Sequence, residues 1–180
     1  LILRFSGEGE IFYLQKRIGI NKKEFKLFKF ATMNKNSPEH GHGNITVKND
    51  PRILPIGKFL RDTKINELPQ IINIFFGEMS FIGPRPQTKE SFDMFPQDFA
   101  VTIKGLKPGL SGIGSIIFSR EEEILEGKKN PVDFYQSIIA PYKGSLEVWF
   151  SKNNTLSTYL MLIFLTVYTI ITKKNKSPYY

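Results

Sequence analysis

The chain has 180 residues and a formal net charge of +8, most of which lies in its first 64 residues. Residues 1–64 contain 13 Lys and Arg against 6 Asp and Glu, which indicates a polyanionic partner such as nucleic acid, anionic lipid or nucleotide phosphate. The lack of cysteine excludes a disulfide framework and a thiolate metal site, and a hydrophobic content of 41% excludes a disordered chain.

Two short strands are predicted near the N-terminus, at residues 11–17 and 24–30, joined by the hairpin sequence GINKK. Strict alternation places Lys29 on the strand face that carries Phe25 and Leu27, where an apolar residue is expected. Lys29 is then either a strand end in solvent or a cation directed at an anionic ligand.

The next segment, residues 34–55, is rich in His, Gly, Asn and Pro and is predicted to form a loop. His40 and His42 lack the additional ligands that a metal site needs, so we favour a structural role for both. The Asn-Asp-Pro sequence at residues 49–51 is typical of a turn.

Two helices are predicted after this loop, a short one at residues 57–62 and a second one with a clear apolar stripe. The stripe follows helical spacing and comprises Leu68, Ile71, Ile72, Phe75 and Phe76. Asn66 stands where the N-cap belongs, Pro69 falls in the first turn, and Gly77 ends the helix.

The segment from Gly83 to Pro86 is predicted to be rigid and extended, because its two prolines fix φ and remove backbone donors. Residues 105–115 form a glycine-rich loop without the Lys-Ser/Thr ending of a nucleotide P-loop. Residues 119–126 are predicted to begin a helix with Ser119 as N-cap, and their acidic run is interpreted as a solvated first turn.

The most apolar segment covers residues 156–171 and is short for a membrane span of about 20 residues. Its side chains form a wide apolar face, and Lys173, Lys174 and Lys176 follow directly. A core helix is one interpretation. The flanking lysines favour the other, an interfacial membrane helix over residues 156–172 that dips into one leaflet.

Residues 57–86 (GKFLRDTKINELPQIINIFFGEMSFIGPRP) resemble the signature block of the bacterial sugar transferase family, the monotopic polyprenyl-phosphate phosphoglycosyl transferases. The similarity extends to residues 12–33, 49–61 and 107–115 and is looser after residue 115. The resemblance implies transfer of a phosphosugar from a UDP-sugar to undecaprenyl phosphate, giving a polyprenyl diphosphosugar and UMP. That reaction initiates the assembly of lipopolysaccharide, capsule or exopolysaccharide.

From this we expect an α+β fold, mainly helical with a small N-terminal β-hairpin, in one monotopic membrane-associated catalytic domain over residues 1–180. The resemblance also implies Mg²⁺, membrane lipids as partners, and a location on the cytoplasmic face of the bacterial inner membrane. The family's re-entrant N-terminal membrane helix would precede Leu1. A nucleic-acid partner is not expected, because no RNP-type pattern is present. The oligomeric state is left open, with a homodimer as one option.

In the family, an Asp-Glu pair starts the central helix, and its Asp attacks the β-phosphorus to form a covalent intermediate. Here the pair is Asn66-Glu67, and a neutral amide is a poor nucleophile. Three explanations follow. Glu67 supplies the carboxylate for attack or metal binding, or transfer is direct with Glu67 as base or metal ligand. In the third, the chain is an inactive relative that binds UDP-sugar or polyprenyl phosphate as a regulatory or assembly protein.

The other expected site residues are cations suited to phosphate and carboxylates suited to a metal. The substrate-binding candidates are Lys29, Arg61, Arg85, Asp50 and Arg52. For Asp50 and Arg52, a structural ion pair is an equally good interpretation. Glu67 and Glu78 are the candidates for Mg²⁺.

Overall fold

The structure, a computed structural model, describes residues 2–5, 9–35, 37, 46, 50–93, 97–126 and 128–172. The helices in these ranges are α1 (Ile2–Phe5), α2 (Pro55–Asp62), α3 (Gln70–Phe75), α4 (Lys89–Asp93), α5 (Gln97–Lys104), α6 (Ile113–Ile117), α7 (Glu121–Leu125), α8 (Pro131–Phe134), α9 (Ala140–Lys152) and α10 (Leu156–Thr172). The strands are β1 (Phe12–Ile18), β2 (Glu24–Phe30), β3 (Ser80–Ile82) and β4 (Gly109–Ser111). The predicted α+β class, mainly helical with an N-terminal hairpin, is confirmed.

The hairpin of β1 and β2 forms as predicted, with a 3₁₀ turn between the two antiparallel strands. Its inner face buries Phe25 and Leu27 against Met79, which explains the alternation of apolar residues in β2. The register places Arg17 directly opposite Phe25. Since residues directly opposite one another share a face, Arg17 and Lys29 both lie on the inner face.

A second, parallel sheet of β3 and β4 was not predicted, because strands of three residues leave no periodic signal. The two strands approach so closely that a Cβ on Gly109 would lie 2.1 Å from the backbone nitrogen of Gly83. Glycine at both positions therefore allows the pairing, and the pairing fixes where the chain leaves β3.

Helix α9 is central to the helical part of the fold. Its first residue, Ala140, packs in a cluster with Phe99 of α5. Near its other end, Phe150 packs with Ile116 of α6 and Leu162 of α10. The helix continues from α8 through a π-helical turn, so α8 and α9 form one long run against which α5, α6 and α10 are placed.

The helix predicted to begin at Asn66 is divided in two. A 3₁₀ turn occupies Ile65–Glu67, started by Lys64 in the left-handed conformation with φ of 59°. The N-cap of α3 is Pro69, so the prediction of Asn66 as the cap is wrong. Helix propensity alone does not predict this division, because the left-handed backbone at Lys64 changes the direction of the chain. Gly77, with φ of 74°, follows the end of α3 as predicted.

The apolar stripe of α3 is present but faces outward. Phe75 and Phe76 are 85% and 68% exposed, whereas Gln70 and Asn73 are 2% and 0% exposed. Asn73 lies under the hairpin, where its Oδ1 accepts a hydrogen bond of 3.0 Å from the N–H of Phe28. The polar side of α3 thus binds the hairpin, and its apolar side is left uncovered within the described structure.

Helix α10 covers the predicted segment, and its side chains lie in two environments. Leu162 and Thr169 are buried, while Leu156, Phe164 and Ile171 are 75%, 67% and 76% exposed. Within the described ranges, the structure contains no helix with the length and apolar character needed to cross a bilayer.

Some predicted features fall outside the described residues, and the roles assigned to them stay predictions. These residues are His40, His42, Asn49, Lys173, Lys174 and Lys176.

Candidate active site

A cleft of about 1550 Å³ lies between the hairpin, the 3₁₀ turn before α3, the segment after β3, and helices α6, α7, α9 and α10. It gathers most of the charged residues that the sequence placed at the site. The predicted site residues that line it are Lys29, Asp50, Arg61, Asn66, Glu67 and Arg85.

The central contact of the cleft is an ion pair between Glu67 and Arg85. The Arg85 guanidinium donates to Glu67 Oε1 over 2.8 Å, and the Glu67 side chain is 13% exposed. Burial by itself would raise the pKa of Glu67, but the charges of Arg85 and then Lys29 outweigh it and lower the pKa to about 2. Glu67 is therefore ionised at neutral pH.

Arg85 is held in place through the carbonyls of the prolines on either side. The carbonyl of Pro84 accepts a hydrogen bond of 2.9 Å from the N–H of Gly109 in β4. The carbonyl of Pro86 accepts one of 3.0 Å from the Arg17 guanidinium. With φ fixed at both prolines, the backbone at Arg85 has little freedom, and its side chain is presented to Glu67 as a rigid unit.

Arg17 is a site residue that the sequence reasoning missed. It lines the cleft, and its hydrogen-bond acceptors in the described part of the chain are the uncharged oxygens of Gln15 and Pro86. Burial first, and then the positive charge of Arg85, lower the pKa of Arg17 to about 10. The available signal was the hairpin register, which puts Arg17 on the same face as Lys29.

Lys29 lines the cleft from the end of β2, and its role as a cation directed at an anionic ligand stays a prediction. Burial and the neighbouring charges of Arg17 and Arg85 hold the pKa of Lys29 well below its ordinary value. Arg17, Lys29 and Arg85 thus share one carboxylate, Glu67, in a confined space. An anion that enters there would relieve the repulsion among the three cations.

Asn66 lies beside Glu67 and is 7% exposed. Its Oδ1 is buried and has no hydrogen-bond partner among the residues that the structure describes. A buried acceptor without a partner is uncommon, because its lost hydration is not replaced. The atom lines a cleft rather than a sealed core, so a ligand or water can satisfy it.

Acidic residues at the start of α7 pair with cations of the cleft. The interpretation of this acidic run as a solvated first turn is therefore wrong. Glu122 accepts a hydrogen bond of 2.8 Å from Arg61, and Glu121 pairs with Lys143 of α9. The predicted cap is also wrong. The residue before α7 is Arg120, and Ser119 has a buried hydroxyl with no partner in the described ranges.

Glu147 of α9 is another buried carboxylate in the cleft, 5% exposed, and no sequence pattern selects it. It accepts a hydrogen bond from the N–H of Gly114, and Lys143 lies one turn earlier on α9. Burial outweighs both influences and raises the pKa of Glu147 to about 7.

Two predicted site residues, Glu78 and Arg52, do not line the cleft, and Asp50 lines it while paired with Arg52. Glu78 accepts a hydrogen bond of 2.7 Å from the buried Asn73 and does not line the cleft. Asp50 and Arg52 form a bidentate ion pair with contacts of 2.8 and 2.6 Å, and Arg52 also donates to the carbonyl of Ser37. That geometry favours the structural ion pair. In the described part of the chain, no three His, Asp or Glu side chains converge as a metal site.

Comparison with known proteins decides the family. Residues 1–173 match the bacterial sugar transferase family. The chain belongs to the bacterial sugar transferase family. The family predicted from residues 57–86 is thereby confirmed.

The relatives of this sugar transferase carry informative names. It is 29% identical over 96% of its length to a UDP-N-acetylgalactosamine-undecaprenyl-phosphate N-acetylgalactosaminephosphotransferase of Aeromonas hydrophila, of which it covers 38%. It is 32% identical over 93% of its length to a UDP-glucose:undecaprenyl-phosphate glucose-1-phosphate transferase of Escherichia coli, of which it covers 34%. It is 35% identical over 64% of its length to the exopolysaccharide production protein ExoY of Rhizobium meliloti, of which it covers 57%. The chain thus spans from about a third to somewhat over half of these relatives.

Proposed function

We propose that this sugar transferase moves a phosphosugar from a UDP-sugar to undecaprenyl phosphate, giving a polyprenyl diphosphosugar and UMP and so initiating bacterial glycan assembly. The names of its relatives support this reading, and none of those names favours an inactive binding protein.

The observation that carries the proposal is the set of three cations around one carboxylate. Arg17, Lys29 and Arg85 line the cleft with Glu67 among them, and the pKa of Lys29 is depressed partly by its own cationic neighbours. A nucleotide diphosphate would offset that excess positive charge, and guanidinium groups suit phosphate oxygens.

An apolar rim beside these charges fits the lipid substrate. Leu68, Phe81, Val167 and Ile170 line the same cleft and are 44% to 51% exposed. A polyprenyl chain needs an apolar path while its phosphate reaches the cations. The cleft combines both surfaces, which is the combination that a transfer between a nucleotide and a membrane lipid requires.

The uncovered faces of α3 and α10 are proposed to lie on a bilayer. Large apolar side chains exposed on neighbouring turns mark membrane or protein contacts rather than ordinary surface. On α3, Phe75 and Phe76 are the most exposed, and on α10 Leu156 and Ile171 are. We place these faces in the cytoplasmic leaflet of the bacterial inner membrane, with the chain monotopic and membrane lipids as partners.

Glu67 and Asn66 are the residues proposed for chemistry. A carboxylate with a pKa of about 2 is a weak base, so Glu67 suits metal binding or attack better than proton abstraction. Glu67 and the unpartnered Oδ1 of Asn66 are oxygen donors on consecutive residues that both line the cleft, and they would suit a Mg²⁺ ion that retains phosphate oxygens and water as its other ligands. When bound, Mg²⁺ offsets the charge of the diphosphate.

The test is UMP release by the full-length protein in membranes with undecaprenyl phosphate, Mg²⁺ and a panel of UDP-sugars. We expect UMP and a lipid-linked phosphosugar from at least one UDP-sugar, and loss of both with Glu67→Gln. The Lys16→Ala variant is the control, because Lys16 is exposed on the hairpin. Absence of UMP with every UDP-sugar, in preparations that bind undecaprenyl phosphate, would refute the proposal.

A further inference from the structure

The part of the cleft formed by α6, α9 and α10 contains buried polar atoms that the protein does not use. Glu147 Oε2 and Thr169 Oγ1 have no hydrogen-bond partner in the described ranges, and their residues are only 5% and 6% exposed. The hydroxyls of Ser115 and Ser119 are also buried without a hydrogen-bond partner in these ranges, and all four residues line the cleft. Because unsatisfied buried polar atoms are unfavourable, several of them in one cleft indicate a polar ligand.

Glu147 is fixed so that one carboxylate oxygen remains for a ligand. Gly114 donates its N–H to the carboxylate, and Oε1 is the oxygen nearest Gly114. A Cβ at Gly114 would lie 3.0 Å from Oε1, so the glycine allows this close approach. Oε2 is then held in one orientation without a protein donor in the described structure.

Lys143 connects this part of the cleft to the phosphate-binding part. It lies one turn before Glu147 on α9, and its charge acts on Glu147. Burial lowers the pKa of Lys143, and the charge of Arg85 lowers it slightly further, but the charge of Glu121 and smaller interactions outweigh them and raise the pKa. Arg85, Lys143 and Glu147 all line the cleft, and the charge of Lys143 acts on Glu147 while that of Arg85 acts on Lys143. In a nucleotide sugar, the sugar is bonded directly to the β-phosphate, so it must lie next to the phosphate-binding cations.

We propose that Glu147, Thr169 and Ser115 form the subsite that binds the hydroxyl groups of the donor's sugar. A carboxylate oxygen accepts from hydroxyls, and Thr and Ser hydroxyls both donate and accept, which matches a polyhydroxylated ring. A polyprenyl chain would leave these polar atoms unsatisfied. The inference rests on the proposed function and adds the residues that recognise the sugar.

The test compares UDP with UDP-sugars in binding to the full-length protein, purified in nanodiscs with Mg²⁺ and without acceptor lipid. Titration calorimetry is done with UDP, UDP-glucose and UDP-N-acetylgalactosamine. We expect wild type to bind at least one UDP-sugar more tightly than UDP. Glu147→Gln and Thr169→Val should each weaken that UDP-sugar about tenfold, the effect of one lost hydrogen bond to a charged or fixed group, and leave UDP binding unchanged.

Thr166→Val is the matched control on α10. Thr166 Oγ1 is already satisfied, since it donates to the carbonyl of Leu162 over 2.8 Å and lies 2.8 Å from Ser111 Oγ. Its loss should lower the unfolding temperature of the ligand-free protein and leave the ratio of UDP-sugar to UDP affinity unchanged. Thr169→Val should not lower the unfolding temperature, because its hydroxyl has no partner to lose in the described structure.

The inference is overturned if the Glu147 and Thr169 variants weaken UDP and the UDP-sugar by the same factor, or weaken neither. It is also overturned if wild type binds every UDP-sugar no more tightly than UDP. A wild-type protein that binds neither UDP nor any UDP-sugar would instead overturn the proposed function, and the inference with it.

Discussion

Arg85 donates to Glu67 over 2.8 Å, and this contact joins the segment after β3 to the 3₁₀ turn before α3. The two elements have no sheet or helix in common, so the ion pair links two separate backbone turns directly. It also keeps Glu67 ionised, with a pKa of about 2. The chemistry proposed for Glu67 therefore depends on a residue 18 positions away.

The ion pair predicts an acid-sensitive part of the stability. Because the folded-state pKa of Glu67 is below its ordinary value of 4.5, the stabilisation is present above pH 4.5 and is lost as the pH falls towards 2. Its size is on the order of 3 kcal/mol. Glu67→Gln should reduce the free energy of unfolding at pH 7 and flatten its decline between pH 4.5 and 2. Urea denaturation at a series of pH values measures this, and parallel declines in the two proteins would contradict it.

A carboxylate in place of the Asn66 amide is expected to allow a covalent intermediate at this position. Asn66→Asp would add a carboxylate on the residue next to Glu67, at a site where the amide oxygen has no partner among the described residues, and the charges of Arg85 and Lys29 act on Glu67. We expect a phosphosugar adduct at residue 66 in the variant, because a carboxylate attacks phosphorus far better than an amide does. Peptide mass spectrometry after incubation with a UDP-sugar detects it.

The control for that experiment is wild type under the same conditions. An adduct on Glu67 in wild type would identify Glu67 as the nucleophile. Turnover without any adduct would indicate direct transfer. The expectation for Asn66→Asp fails if residue 66 stays unmodified while the variant still binds the UDP-sugar.

Arg17 is expected to contribute to phosphate binding as well as to the position of Arg85. Arg17→Ala removes one of the three cations and the donor to the Pro86 carbonyl. We expect affinity for UDP to fall by about tenfold or more, the usual effect of losing a charged hydrogen bond. Arg17→Lys should recover part of this, since the charge remains and the planar fork is lost.

Lys16→Ala is the matched control for the Arg17 variants, because Lys16 is adjacent in β1 but is exposed on the other face of the hairpin. Its affinity for UDP should equal that of wild type. Equal losses in the Lys16 and Arg17 variants would show a general effect of net charge and not a contact in the cleft.

The features that depend on local pattern are predictable from the sequence. The hairpin, α2, the end of α3 at Gly77 and the whole of α10 follow from periodicity and breaker residues. Arg17 was missed because its relation to Lys29 appears only when β1 is paired with β2. Glu147 was missed because a single acidic residue in a helix is usually on the surface, and its burial depends on α6 packing against α9. The sequence predicts a cap at Asn66 because the left-handed backbone of Lys64 has no signature in the sequence.

The apolar stripe of α3 shows what helical periodicity does not predict. Its spacing predicted a helix correctly but did not say which environment the stripe faces, and Phe75 is 85% exposed. Helical periodicity identifies an apolar side, and only the position of Asn73 under the hairpin shows that this side is turned away from the core.

Membrane binding is expected to weaken when the α3 stripe is made polar. The double variant Phe75→Ser/Phe76→Ser should bind vesicles of anionic phospholipid at least tenfold more weakly, since burying one Phe side chain contributes about 1.5–3 kcal/mol. Folding should persist, because both rings are largely exposed. Val101→Ser, which changes a residue of α5 that is 68% exposed, should bind as wild type does. Vesicle co-sedimentation measures the three proteins, and unchanged binding of the double variant would refute the assignment of α3 to the bilayer.

Glu147 predicts a pH dependence of the opposite sign to that of Glu67. Its folded-state pKa of about 7 exceeds the ordinary value of 4.5, so the folded state holds a proton that the unfolded chain releases between these values. The stability from this group is complete below pH 4.5 and is lost as the pH rises through 7, by on the order of 3 kcal/mol. Glu147→Gln keeps an acceptor for the Gly114 N–H and cannot ionise, so it should remove this decline. We expect its unfolding temperature to exceed that of wild type at pH 8 and to match it near pH 4.5. A variant whose unfolding temperature follows wild type at both pH values would show that Glu147 does not titrate in this range.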